Sequence, residues 1–263
     1  MAHYAGHLIY TCRDAEGVIE VVDEPTARSL HFGTRARQTT MFLRDPCALA
    51  LNYTQCLMSA LLLVPSPGAA LILGLGGGAL ARFLLRHLPQ CQVVAVERRA
   101  LVIDVARAFF SLPEDPRLRL YLADAADFLR GPASPHDLVL VDLHDPQGMA
   151  PLVSRLDFFA QCRRHLAPAG VLAVNLWAGS RDDDLKRIMR HLRLCFDHQI
   201  LYLPVAGKRN CVALGLSVLP PSLPVLRERA KGLQIALSID FPHLLSELLR
   251  LNPHLLLGKP PAA

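Results

Sequence analysis

Ala70-Leu71-Ile72-Leu73-Gly74-Leu75-Gly76-Gly77-Gly78-Ala79-Leu80-Ala81-Arg82 decides the fold. An apolar run of strand length meets a cluster of glycines, and an amphipathic segment follows at once. That order reads as strand, tight turn and helix. Glycines allow the sharp turn and the close approach of a ligand to the backbone. The first amides of the helix are free to bind an acceptor group. Downstream, Cys91 to Val96 reads as a second apolar strand that ends in Glu97. An acid about twenty residues past such a turn can accept both hydroxyls of a ribose.

The same alternation continues along the chain. Helices are expected over Ala79–Leu88, Arg98–Phe110, Asp124–Leu129, Leu156–Leu166 and Asp182–Cys195. Strands are expected over Leu118–Leu122, Asp137–Val141 and Val171–Leu176, the last entered through a turn at Pro168-Ala169-Gly170. Gln199–Leu203 and Asn210–Ser217 form a closing hairpin, which places one antiparallel strand on an otherwise parallel sheet. Strands alternating with helices make an α/β doubly wound sheet. The tail from Pro220 holds helical pieces, Leu223–Leu233 and Phe241–Leu251, with no chemistry evident in them.

Upstream of the glycines, residues 1 to about 46 read as β-structure. Gly17–Glu24, Arg28–Gly33 and Arg37–Arg44 form a short antiparallel meander. Leu49–Leu63 places Leu49, Tyr53, Leu57 and Ala60 at helical spacing. Pro65-Ser66-Pro67-Gly68 is the strongest punctuation in the chain. It divides residues 1–65, a β-meander and helix, from residues 66–263, a nucleoside-binding domain.

Bulk properties narrow the function. The chain has 263 residues, 52% hydrophobic and 19% charged, enough to bury a full core. A net charge of +5, with arginines scattered and not interleaved with aromatics, does not point to nucleic acid. The seven cysteines form no C-x-x-C pair. They read as free thiols in a reducing, cytoplasmic setting, with no zinc site and no metal cofactor. No secretory leader is expected, because His3, Tyr4 and His7 interrupt any apolar run. Ala48–Val64 is the most membrane-like stretch, but it is short and contains Asn52, Thr54 and Gln55, so it reads as a buried helix.

In doubly wound sheets ligands bind outside the carboxyl ends of the strands. Those ends carry the glycines Gly74, Gly76 and Gly78, then Glu97, then Asp124, then Asp142. Asp145 follows in Asp142-Leu143-His144-Asp145-Pro146-Gln147-Gly148. A nucleoside suits this layout, with Glu97 on the ribose and Asp124 accepting from the exocyclic amine of adenine. No Lys-Ser/Thr follows the glycines, so the loop is not one for triphosphates. Asp142 and Asp145 share one mouth, and a cationic ligand would suit them. His144 between them reads as a surface loop histidine.

In these residues the chain resembles the spermidine synthase family, the polyamine aminopropyltransferases, and most of all its bacterial spermidine-synthase-like branch. The resemblance runs from about Arg28 to Ser217. It rests on the meander, Gln38, Tyr53-Thr54-Gln55, the glycine loop, Glu97, Asp124-Ala125 and, most specifically, Asp142-x-x-Asp145-Pro146. It implies a Rossmann-like sheet of the class I methyltransferase type with an N-terminal β-meander. It also implies a transferase that moves an aminopropyl group from decarboxylated S-adenosylmethionine to an amine such as putrescine.

By the same resemblance, Gln38, Gly74, Gly76, Gly78, Glu97, Asp124 and Ala125 would bind the donor. Tyr53 and Asp142 would hold the amine, with Asp142 anchoring cationic nitrogen. Asp145 would take the proton of the attacking amine. Two chains would pair through their N-terminal strands, with neither membrane nor nucleic acid as partner. Two positions depart from the family pattern: Gly77 stands where an acid is expected in the loop, and Pro204-Val205-Ala206-Gly207 lacks a hairpin tyrosine. Both remove partners for cationic nitrogen. The residues also leave open a methyltransferase using S-adenosylmethionine itself, and a catalytically idle nucleoside-binding or interaction protein.

Overall fold

The computed structural model describes residues 4–145, 148–177 and 182–257. The chain opens with four antiparallel strands: β1 (His7–Asp14), β2 (Gly17–Asp23), β3 (Ala27–His31) and β4 (Arg37–Phe42). The sequence reading found the last three and missed β1. The reason is physical: β1 is an edge strand, exposed along most of its length, so no buried face imposes an alternation on it.

A short helix, α1 (Asn52–Leu57), runs into a 3₁₀ turn over Met58–Leu62. The expected single helix over Leu49–Leu63 is therefore shorter and tighter. Leu51 offers no side-chain cap, so nothing anchors an earlier start. Leu57, Met58, Ala60, Leu61 and Leu62 are fully buried in the core of the main sheet. The punctuation at Pro65–Gly68 thus separates sequence segments that share one packed interior.

The main unit then follows: β5 (Ala69–Leu73), α2 (Ala79–His87), β6 (Gln92–Glu97), α3 (Ala100–Phe109), β7 (Leu118–Leu122), α4 (Ala125–Arg130) and β8 (His136–Val141). A two-residue ladder of β9 (His144–Asp145) and β10 (Gly148–Met149) comes next, then α5 (Leu156–Arg164), β11 (Leu166–Trp177) and α6 (Asp182–Cys195). The hairpin β12 (Ile200–Pro204) and β13 (Asn210–Leu216) is followed by α7 (Leu223–Leu237), α8 (Phe241–Leu251) and α9 (Pro253–Leu256).

Seven strands form one sheet in the order β12-β13-β11-β8-β5-β6-β7. β13 runs antiparallel to both neighbours, and the other pairings are parallel. The α/β class and the antiparallel closing strand are as expected. β11 is longer than its expected core, because the chain continues through Pro168-Ala169-Gly170 as a strand with a register shift between Leu166 and Val171.

The apolar runs are continuous because both faces of the sheet are covered. In β5, Ala70 and Ile72 enter one core with α2, α7 and α8, while Leu71 and Leu73 enter the other with α5 and α6. Each fully buried leucine contributes about 1.5–3 kcal/mol. A third, smaller core joins Ile19, Val21, Leu30 and Met41 of the N-terminal sheet to Val102, Val105 and Phe110 on and beside α3. That contact sets the N-terminal sheet over the carboxyl ends of β5 and β6. Among the described residues no helix is long and apolar enough to cross a membrane, and no group of His, Cys, Asp or Glu is placed to hold a metal.

Candidate active site

The sheet order reverses between β5 and β8, and there a cavity of about 570 Å³ opens. Gln38, Tyr53, Gly74, Gly76, Glu97, Asp124, Ala125 and Asp142 all line it. Of the donor-binding residues expected from sequence, Gly78 alone is turned elsewhere. It is the left-handed cap of α2, with φ 76°, and a Cβ there would meet Leu112 at 2.7 Å.

The glycine loop is held from below. Gly74, with φ 94°, lies so close to Asp142 that a Cβ would stand 2.3 Å from the Asp142 carbonyl oxygen. The Gly77 amide donates to Thr39 Oγ1 at 2.8 Å. Arg82, 2% exposed, donates from Nε to the Pro46 carbonyl at 2.9 Å and from Nη1 to the Gly77 carbonyl. Its Nη2 has no hydrogen-bond partner among the described residues. Burial without a nearby carboxylate pulls this guanidinium down to about 10. A Cβ at Gly77 would meet Thr39 Cγ2 at 2.8 Å and Phe110 Cγ at 3.0 Å. The loop therefore has no room for a side chain at 77 in this arrangement.

Glu97, at the end of β6, is clamped by backbone. Its Oε2 accepts from the Leu75 amide at 3.1 Å and its Oε1 from the Arg99 amide at 3.0 Å. Burial raises its pKa, and those amide donors pull in the opposite direction without cancelling it. Asp124 caps α4, accepting on Oδ1 from Ala126 at 2.8 Å and Asp127 at 3.4 Å. Its Oδ2 makes no hydrogen bond among the described residues.

Asp142 is held quite differently, by side chains. Tyr53 donates its hydroxyl to Oδ2 at 2.9 Å, Asn175 donates Nδ2 to Oδ1 at 2.8 Å, and His144 Nδ1 stands 3.3 Å from Oδ1. Asn210 then donates to Asn175 Oδ1 at 3.0 Å. Burial penalises the Asp142 charge, yet the three donors outweigh it and hold the carboxyl below the usual range. Burial, and after it the charge of Asp142, push the Tyr53 hydroxyl well above its ordinary value. Tyr53 thus stays a neutral donor.

His144 is corrected from a surface loop residue to a partner of Asp142 that lines the cavity. Asn175, Trp177 and Asn210 were missed, although all three line the cavity. One signal was available: Asn175 is the polar residue inside the apolar run Val171–Leu176, and it is 1% exposed. A buried amide in a central strand needs partners. Asp145 stands in β9 opposite Gly148. Pro146 and Gln147, expected in the same loop, lie outside the described residues.

Comparison with known proteins falls on this framework. Residues 51–180 match the family model described as spermine/spermidine synthase domain. The polyamine aminopropyltransferase of Chromobacterium violaceum is 35% identical over 89% of this chain and 90% of its own length. A spermidine synthase from Thermotoga maritima shares the fold with a TM-score of 0.72 at 18% identity, covering 92% of this chain and 84% of that one. A human methyltransferase-like protein 13 in complex with SAH matches with a TM-score of 0.60 at 28% identity, over 71% of this chain and 89% of that one.

Proposed function

The chain belongs to the spermine/spermidine synthase family, and on that premise we propose that it transfers an aminopropyl group from decarboxylated S-adenosylmethionine to an amine such as putrescine. The observation that carries this reading is the convergence of Gln38, Tyr53, Glu97, Asp124 and Asp142 on one cavity at the strand ends.

The nucleoside would lie across β5, β6 and β7. Glu97 would accept from the ribose hydroxyls and the open oxygen of Asp124 from the adenine amine. Gln38, Gly74, Gly76 and Ala125 would form the walls. Charge-assisted bonds of this kind contribute about 1.5–3 kcal/mol each.

Transfer is a displacement at the carbon beside a sulfonium. The amine nitrogen forms a bond to that carbon, the carbon–sulfur bond breaks and methylthioadenosine leaves. The sulfonium departs readily, so the enzyme's task is to orient the partners and supply a neutral amine. An alkylamine with pKa near 10 is about 0.1% neutral at pH 7, which costs about 4 kcal/mol. We assign Asp145 to take the amine's proton as the bond forms and pass it to water. Asp142, fixed by Tyr53, Asn175 and His144, would orient the amine beside it.

The test is direct. The protein is incubated with decarboxylated S-adenosylmethionine and an amine, and the products are weighed. Methylthioadenosine together with an aminopropylated amine supports the proposal, and absence of both sinks it. A methyltransferase reading draws on the likeness to the SAH-bound human protein and on Gly77, where a donor carboxylate would meet no acid. It predicts turnover of S-adenosylmethionine and a product heavier by one methyl group.

We also propose that the protein is cytoplasmic, as its free cysteines suggest. We further propose that it is a homodimer built on β1, whose outer edge has no partner strand among the described residues and which exposes Leu8, Ile9 and Tyr10. A monomeric mass by light scattering would refute the second point.

A further inference from the structure

Among the described residues that line the cavity, the carboxylates are engaged while two cations are not. Glu97 and Asp124 are both engaged by backbone amides, at the nucleoside end. Asp142 accepts three side-chain donors. The arginine and lysine side chains lining the same cavity fall into two sets. Three are neutralised: Arg37 by Glu24 at 2.6 Å, Arg98 by Glu16 at 2.5 Å and Arg99 by Asp14 at 2.9 Å. The side chains of Arg35 and Lys208 have no hydrogen bond or ion pair among the described residues.

Lys208 is the informative one because of where the chain puts it. It sits in the β12–β13 turn, two residues before Asn210, which donates to Asn175, which in turn donates to Asp142. Asn210 pairs with Trp177, the last residue of β11. Lys208 therefore belongs to the Asp142 end of the cavity lining, where the acceptor would lie. Arg35, from the β3–β4 turn, adds a second cation to the rim. A diamine would bring its second ammonium to this lip and meet charge of its own sign.

We propose that the acceptor is an amine that also bears a carboxylate, an amino acid of the ω-amino or α,ω-diamino kind, with Lys208 as the residue that reads the carboxylate. This rests on the aminopropyl-transfer reading and specifies its acceptor. The chemical step is unchanged in its balance. The amine of the acceptor forms the new N–C bond, the C–S bond breaks, methylthioadenosine leaves and the surplus proton goes by way of Asp145 to water. The carboxylate takes no part in bond making. It is held by Lys208 and fixes which amine of the acceptor faces the sulfonium carbon.

The experiment uses the full chain with decarboxylated S-adenosylmethionine and three acceptors: putrescine, ornithine and 4-aminobutanoate. Specificity constants are read by mass spectrometry of the products. At least one carboxylated amine is expected to exceed putrescine by about tenfold in kcat/KM. Lys208→Gln should reduce that preference by about tenfold, mainly through KM. Lys208→Glu should invert it in favour of putrescine. Lys208 is exposed, so neither change strains the fold.

Preference for putrescine in the unaltered protein overturns the inference and leaves aminopropyl transfer standing. So does an equal effect of Lys208→Gln on all three acceptors. If S-adenosylmethionine replaces its decarboxylated form as the consumed donor, the cations serve the donor's carboxylate and the inference is wrong. If no amine receives an aminopropyl group, the transfer reading itself fails, and this inference fails with it.

Discussion

The two ends of the cavity hold their carboxylates by opposite means. At the end proposed for the nucleoside, Glu97 and Asp124 take their bonds from backbone amides, Glu97 from Leu75 in the glycine loop and from Arg99, Asp124 from Ala126. At the other end, Asp142 is fixed by Tyr53, His144 and Asn175, with Asn210 behind them, from four separate parts of the chain. A carboxylate held by backbone depends on the fold, and any sequence that makes the turn can hold it. One held by distant side chains depends on each of them.

Point changes at each end separate the two modes of holding a carboxylate. The largest effect should come from Asp145→Asn, which is expected to lower turnover by about 10²–10⁴-fold while leaving nucleoside affinity intact. Single-turnover kinetics beside calorimetric binding would check it, and full activity would remove Asp145 from the mechanism. Glu97→Ala should act in the reverse sense. Nucleoside affinity should fall by about 10- to 100-fold, the worth of a charge-assisted bond. A variant that binds as well as the parent would mean that the nucleoside lies elsewhere.

Gly77→Asp tests the loop. The new side chain would press on Thr39 and Phe110, so the expected outcome is a loss of about 1–3 kcal/mol in stability by denaturant titration, with no gain in donor affinity. Tighter binding of the decarboxylated donor would show that the loop rearranges to present an acid. Asn175→Ala removes one donor from Asp142 and should lower kcat by about tenfold. It should also move the acid limb of the kcat profile to higher pH, since that donation holds Asp142 down. An unmoved limb would reduce Asn175 to a packing role.

The smallest effect concerns pH alone. Burial raises the pKa of Glu97, whereas the donors around Asp142 lower its own. As pH falls, Glu97 takes up its proton first and at a higher pH than an ordinary glutamate. Nucleoside affinity should then drop, by up to about tenfold per pH unit, while Asp142 is still charged. A dideoxyribose analogue should lack this dependence. An identical pH dependence for the two compounds would detach Glu97 from the ribose.

The same contrast explains what the sequence made legible. Glu97, Asp124 and Asp142 could be found because each ends an apolar run, and a run's end is a local property. The sheet was legible for the same reason, since Leu71-Ile72-Leu73 and Leu138-Val139-Leu140 are buried on both faces. β1 was not, because an exposed edge strand leaves no pattern. The joint between α1 and its 3₁₀ turn was not, because both bury the same leucines at similar spacing. Asn175, Asn210 and His144 acquire a meaning only when β8, β11 and β13 lie side by side. Their roles are set by sheet order, which no single stretch contains.

Arg82 and Thr39 carry one last consequence. Arg82 joins the carbonyl of Pro46 to that of Gly77, and Thr39 receives the amide of the same glycine. The floor of the glycine loop is thus completed by chain that precedes it. A polypeptide beginning at Pro67 would have every strand of the main sheet and still lack the support under its glycines. Ligand affinity in this protein is therefore a gauge of finished assembly: a nucleoside that binds the loop should in turn make the N-terminal sheet harder to detach, by the same free energy.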